Sequence, residues 1–411
     1  MNEGEKMRNK SIDLETLAAK LDISPTMHNY AIERYYGISE YLNNNGIEAI
    51  FYPQGSFRTG TVVRPIVDGK ESDYDIDVVC ELGNIKTNTT AERTKKSVGD
   101  ILKNSELYQK KLFPEQDRCW TLEYAEIVEG IGFTMDVVPC VGEDENQIDY
   151  VIKMGIDTVL AQQAIAITER VSAGKYQWQA SNPKGYGEWF DNINRKFLQV
   201  NLYEKKNEIF NENRSLFSVE SSIDDVPDYY VRSALQRVIQ LLKRHRDLYY
   251  GRIKNGSELR PISAIITTLC AKISNETSIT DVEGLLFYVV NGLKEYTSLM
   301  QGQTPIQRFS GEIRNYIEKR DQKWWIPNPV SPDDNYADTW TDDTARAFFA
   351  WVETVTIDLS NTSVENEARY LTGLKTAFGM EFVDKGLSLD SANIPIKKPS
   401  LVISPTKPYK K

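Results

Sequence analysis

The sequence predicts an α+β protein built from two lobes. Short segments rich in β-branched and aromatic residues cluster between residues 48 and 142, and beyond about residue 212 the apolar spacing becomes helical. The end of the chain, KPSLVISPTKPYKK, has no period and repeats Pro and Lys. These observations divide the chain into an α/β lobe with N-terminal helices over 1–211, a mainly α-helical lobe over 212–389 and a flexible tail over 390–411. At roughly 100–200 residues per domain, a 411-residue chain accommodates that division.

The elements follow in order. Leu14, Leu17 and Leu21, then Met27, Tyr30, Tyr35, Ile38, Tyr41 and Leu42, recur at helical spacing, with Ser24-Pro25 marking a break and restart. EAIFYPQG, DIDVVCEL, CWTLEYAEIVE and GFTMDVVPCV read as strands, and TAERTKKSVGDILKN as a helix between them. The RTKK run inside that helix reads as a solvated face. In the second lobe Tyr229, Tyr230, Ala234, Leu235, Val238, Ile239 and Leu242 form one helical stripe. Further helices are expected near 261–273, 283–299, 342–358 and 363–379. Trp324, Trp325, Trp340 and Trp351 read as packing for this lobe, and His245 as structural.

Composition narrows the function. Lys and Arg total 49 against 59 Asp and Glu, a formal charge of −10. Such a surface repels a phosphate backbone, so a partner of long nucleic acid is not expected, while a few local cations and a metal can still hold a triphosphate. Cys80, Cys119, Cys140 and Cys270 form no CxxC pair, and His28 and His245 are the only histidines, which argues against zinc or a disulfide framework. The charged start MNEGEKMRNK carries no apolar signal region and no apolar run approaches the roughly 18 residues of a membrane span. A cytoplasmic protein without membrane partners is expected.

The chemistry lies in PQGSFRTGTVV…SDYDIDVVC and GFTMDVVPC. Gly55-Ser56 follows a strand directly, and Gly permits the tight turn that lets backbone N–H groups and a hydroxyl face a phosphate. Asp75 and Asp77 are two apart in a strand, so they share a face with Cα atoms about 7 Å apart, and carboxylates placed so can converge on hard cations, which need oxygen ligands; Asp73 has the same parity. On its own DxD reads equally well as a solvated strand end. Asp136 changes the balance, because a lone Asp among Met135, Val137 and Val138 needs a partner when buried, and a metal shared with Asp75 and Asp77 supplies one. In a two-metal site Asp75 and Asp77 would bridge both ions. Asp136 would serve the ion at the attacking hydroxyl, and Ser56 would hold the triphosphate.

At these residues the chain resembles the DNA polymerase β-like nucleotidyltransferases, whose pattern is Gly-Ser, DxD and a third strand acid. More narrowly, PQGSFRTGTVVRP, DYDIDVVCEL, GFTMDVVPC, SNPKGYGEWF, LLKRHRDLYY and NPVSPDDNYADTW resemble the bacterial CD-NTases. These are relatives of cyclic GMP-AMP synthase that make cyclic di- or trinucleotides in anti-phage defence. The resemblance implies a polymerase β-like lobe with a mixed sheet facing a helical lobe, with two nucleotides between them. It further implies two Mg²⁺ ions, with Mn²⁺ as a substitute, and NTP substrates that include ATP. Its partners are a downstream effector that binds the product and a regulatory protein. It assigns nucleotide binding to Lys243, on a helix behind the triphosphate, and to Ser263, at the start of the next helix. For these two the plain alternatives are a solvated lysine and a helix cap. Tyr186 is a candidate for base stacking, with core packing as its alternative. The long gap from Ser56 to Asp75 departs from the compact family spacing, and VDGKESD within it reads as an inserted turn. Two other functions compete with a synthase. One is transfer of a nucleotide onto a protein, an antibiotic or an RNA 3′ end; the other is a binding module with a decayed site.

Overall fold

The computed structural model describes residues 8–67, 69–128, 131–198, 232–302, 315–363 and 366–389. The boundary expected at 211/212, Tyr229, Tyr230 and the tail 390–411 lie outside the described residues.

Helices α1 (Lys10–Ala19) and α2 (Pro25–Asn44) start at Asn9 and Ser24, whose side chains accept backbone N–H groups of the first turns. Pro25 at the first helical position costs no hydrogen bond, so Ser24-Pro25 restarts the helix. Strand β1 (Ala49–Gln54) runs into the short helix α3 (Gly55–Thr59). The segment expected as an inserted turn is a hairpin, β2 (Ile66–Val67) with β3 (Lys70–Glu71). Then come β4 (Tyr74–Ile85), α4 (Ala91–Asn104), β5 (Trp120–Val128) and β6 (Ile131–Gly142). Helices α5 (Glu145–Lys153) and α6 (Thr158–Ala161), hairpin β7 (Ile165–Ser172) and β8 (Lys175–Ser181), and α7 (Pro183–Asn194) complete this lobe.

The sheet is mixed, in the order β1-β4-β6-β7-β8, with β5 pairing β6 beside its first half. The β4–β6 pair is parallel; β1–β4, β5–β6, β6–β7 and β7–β8 are antiparallel. Strand parity sorts the side chains. Ile76, Val78 and Cys80 of β4 and Phe133, Met135 and Val137 of β6 face a core made with Tyr35, Ile38 and Leu42 of α2 and Val98 and Leu102 of α4. Asp75, Asp77 and Asp136 therefore occupy the opposite face. The RTKK run is only half as expected. Arg93 and Lys96 are exposed, but Thr94 and Lys95 are buried, and Lys95 Nζ donates to the carbonyls of Gln116 and Asp117 at 2.6 and 2.5 Å.

The second lobe contains α8 (Ala234–Tyr250), α9 (Gly256–Leu259), α10 (Ser263–Ser274), α11 (Val282–Glu295), α12 (Asp342–Ser360), α13 (Glu367–Phe378) and α14 (Met380–Gly386). Two short hairpins interrupt it, β9 (Glu318–Arg320) with β10 (Lys323–Trp325), and β11 (Pro327–Asn328) with β12 (Ser331–Asn335). The core of this lobe also takes Leu14, Leu17, Ala18 and Leu21, so the N-terminal brace is shared: α1 packs with the helices and α2 with the sheet. Trp324 and Trp351 are buried in this lobe; Trp340 is half-buried against Phe348. His245 is a strut, its Nδ1 accepting from Trp351 Nε1 at 3.0 Å and its Nε2 lying 3.1 Å from Asp358. Among the described residues no helix is long and apolar enough to cross a membrane.

Helix α8 joins the lobes. Gln236, Gln240 and Lys243, at i, i+4 and i+7, lie on one helical face. They donate to the carbonyls of Thr59, Val62 and Thr61 at 2.9, 3.0 and 2.9 Å. The turn that follows α3 is thus held from the other lobe.

Candidate active site

The parallel register of β4 and β6 sets Asp77 directly opposite Asp136, and Asp75 opposite Thr134. Neighbouring strands lie about 4.8 Å apart, so Asp77 and Asp136 are forced into proximity by backbone hydrogen bonding alone. Burial, reinforced by the charges of Asp136 and Asp75, pushes the Asp77 carboxyl up to about 7. Burial also raises Asp136, while hydrogen bonds from Thr121 and Cys119 pull it back. Thr121 Oγ1 donates to Asp136 and Thr134 Oγ1 to Asp75, each at 2.5 Å. Asp73, of the same parity, instead accepts the Gly132 N–H at 2.9 Å and does not line the cavity described below.

Gly55 starts α3 with φ 63°, and a Cβ there would stand 2.5 Å from Asp77 Oδ2. Only glycine brings the backbone this close to the carboxylate row. Ser56 is half-buried beside it. The turn closes on itself through Thr61 N–H to Ser56 O at 2.9 Å and Thr59 Oγ1 to Gly55 O at 3.1 Å.

From the helical lobe, Lys243 is buried rather than solvated, and donates to both Thr61 O and Thr61 Oγ1. Burial and the neighbouring Arg246 push its ammonium down to about 7. Ser263 is the first residue of α10 and not its cap, which falls on Ile262; the Ser263 hydroxyl accepts from Arg246 Nη1 at 3.1 Å. Arg246 also holds Asp247 at 2.7 Å, and Asp247 lies 3.4 Å from Arg260.

These groups converge. A cavity of about 360 Å³ is lined by Gly55, Ser56, Asp75, Asp77, Asp136, Lys243 and Ser263, together with Tyr186, Arg246 and Arg260. A second cavity of about 650 Å³ shares Asp77, Asp136 and Tyr186 and extends to Arg58, Trp325 and Asp334. Tyr186 thus stands between the two spaces, with its hydroxyl 2.9 Å from Thr268 Oγ1. Trp325, expected to pack the lobe, lines the second cavity.

Sequence reasoning missed Arg246, Arg260, Thr121 and Thr134. Arg246 was readable as lying one turn beyond Lys243 on the same helix. The threonines were not, because their role depends on strand pairing.

The donor set suits a hard cation. The atoms that Asp75, Asp77 and Asp136 would offer are all carboxylate oxygens, and the raised Asp77 marks negative charge that Mg²⁺ or Mn²⁺ would neutralise. Among the described residues no group of three or more His, Cys, Asp or Glu is placed so that it could hold a metal ion as it stands.

Comparison with known proteins bears on the fold and the activity. Residues 49–137 match the nucleotidyltransferase domain described as cyclic GMP-AMP synthase DncV-like. The chain is 28% identical over 346 residues to the c-di-GMP synthase of Roseivirga ehrenbergii, covering 81% of this chain and 75% of that protein. Residues 49–137 thus resemble a nucleotidyltransferase domain, and most of the chain is similar to a named cyclic dinucleotide synthase. A second relative, the cyclic dinucleotide synthase CdnG of Bradyrhizobium diazoefficiens, is 23% identical over 345 residues, 80% of this chain and 69% of that one. The solved structure of that CdnG in complex with GTP shares the fold at TM-score 0.60 and 18% identity, over 93% of this chain and 99% of the other. The chain is an enzyme, a nucleotidyltransferase. The matched domain contains Gly55, Ser56, Asp75, Asp77 and Asp136, while Lys243 and Ser263 come from outside it.

Proposed function

We propose that this chain is a CD-NTase that joins two nucleoside triphosphates into a cyclic dinucleotide, with release of pyrophosphate at each bond formed. The observation that carries the reading is the convergence of Ser56, Asp75, Asp77, Asp136 and Lys243, from both lobes, on one cavity. The relatives named as a c-di-GMP synthase and a cyclic dinucleotide synthase support a two-nucleotide product, with GTP among the substrates beside ATP.

In each step a ribose hydroxyl attacks the α-phosphate of the other nucleotide, and the bond to the β-phosphate oxygen breaks. Ser56 and the start of α3 receive the triphosphate, with Lys243, Arg246 and Arg260 behind it as cations. Asp75, Asp77 and Asp136 would hold divalent cations, which when bound lower the pKa of the attacking hydroxyl and neutralise charge at the reacting phosphate. Asp136 stands at the edge of both cavities, which suits it to receive the hydroxyl proton. Tyr186 stacks on a base from its position between them. The division at 211/212, with the nucleotides between lobes, belongs to the same proposal, as do an effector that binds the product, a regulatory protein and a role in anti-phage signalling.

The test is incubation with labelled ATP, GTP, CTP and UTP and Mg²⁺ or Mn²⁺, followed by phosphatase and nuclease treatment and mass spectrometry. A phosphatase-resistant product that disappears in Asp75→Asn/Asp77→Asn is the expected result. Label moving to added protein, antibiotic or RNA 3′ ends, with no free oligonucleotide, would overturn the proposal.

A further inference from the structure

We propose that Thr121 and Thr134 are positioning residues that orient the two outer carboxylates of the acid row for cation binding. The inference rests on the reading of Asp75, Asp77 and Asp136 as cation ligands.

The same device occurs twice. Asp75 on β4 faces Thr134 on β6, and Asp136 on β6 faces Thr121 on β5, each pair directly opposite across a strand ladder. In both, the threonine Oγ1 lies 2.5 Å from the Oδ1 of the aspartate, at the short end for a hydroxyl on an ionised carboxylate. Asp77, between them, faces Asp136 and packs against Gly55 instead.

A carboxylate oxygen committed to a hydroxyl fixes rotation about the Cβ–Cγ bond and leaves the other oxygen for a ligand. Without such a bond, like charges on facing residues relieve repulsion by turning apart. Threonine suits the task because β-branching stiffens χ1, so its hydroxyl points in one direction. Cys119 Sγ, 3.5 Å from Thr121 Oγ1, backs one of the two. Folding does not demand these bonds. Thr121 and Thr134 are both half-buried, where water could satisfy the hydroxyls. Spending both on carboxylates therefore serves the acid row and not the sheet.

Mn²⁺ binding to the full chain without nucleotide, followed by electron paramagnetic resonance, tests this alongside kcat and KM for NTPs. Thr121→Val and Thr134→Val are expected to weaken Mn²⁺ binding and lower kcat by about 10–100-fold, the usual effect of losing a group that orients a metal ligand. KM is expected to move little, and Thr→Ser at either position to restore both readouts, with melting temperatures unchanged. Wild-type Mn²⁺ binding and turnover in the Val variants would overturn the inference. So would serine variants that fail to rescue while all variants melt early, since that marks a purely structural role. Mn²⁺ binding that survives intact in Asp77→Asn would sink the ligand assignment itself, and the inference with it.

Discussion

A methyl group on Gly55 would meet Asp77 Oδ2 at 2.5 Å, at a residue whose φ of 63° already disfavours any side chain. Gly55→Ala is thus expected to cost about 1–2 kcal/mol of stability, yet to lower kcat far more, by at least about 10²-fold, because the carboxylate row shifts. Urea melts beside initial rates would separate the two effects. Lys243 makes a different statement. Its ammonium is pushed down to about 7 in the folded chain, below the unfolded value of 10.5. Between those values the unfolded chain binds more protons, so this group makes stability rise with pH by up to about 1.4 kcal/mol per unit. Lys243→Met is expected to flatten that rise between pH 7.5 and 9.5 and to weaken NTP binding; a slope equal to wild type would refute it. At this scale the candidate site was legible in part: Asp136 stands out as a lone acid among Met135, Val137 and Val138, and it lines one cavity with Ser56, Asp75 and Asp77. What was not legible was burial. Lys95 and Lys243 both sit in charged runs, and only tertiary packing shows that backbone carbonyls claim them.

Among the elements, periodicity worked where it had length. The helix expected over TAERTKKSVGDILKN is α4, capped by Thr90, and the helices expected near 261–273 and 342–358 are α10 and α12 within two residues. Hairpin β7–β8 escaped notice because IAITERVS and KYQWQAS carry charged and polar residues on their outward faces, which dilutes the strand pattern. Strands β9 to β12 span five residues or fewer, too short for any period to register. Nor could spacing reveal that α8 is buried on nearly every side, since its Gln236, Arg237, Gln240 and Lys243 read as a polar face. That face is a row of donors to α3's turn and to Asp22. Gln240→Leu would strand the Val62 carbonyl and a contact to Asp22. A loss of about 2–3 kcal/mol is expected, measurable by urea unfolding.

For the whole molecule, the acidic charge and the two-lobed cavity lead to one expectation each. With a formal charge of −10, the enzyme is expected to leave long single-stranded RNA unbound at about 0.15 M salt in fluorescence anisotropy, while NTPs still bind through local cations. Because the cavity takes residues from both lobes, NTP with Mg²⁺ at about 100 times Kd should stabilise one cooperative transition by about 2.7 kcal/mol. Two separate transitions, with only one shifted, would count against a shared site. The hydrogen bonds from Gln236, Gln240 and Lys243 to the turn after α3 also bear on the chain as it is made. A ribosome that has passed residue 136 has already built Gly55, Ser56 and all three aspartates, but the turn has nothing behind it until residue 243 has emerged. A nascent or prematurely ended chain therefore carries the three aspartates without the hydrogen bonds that hold the neighbouring turn.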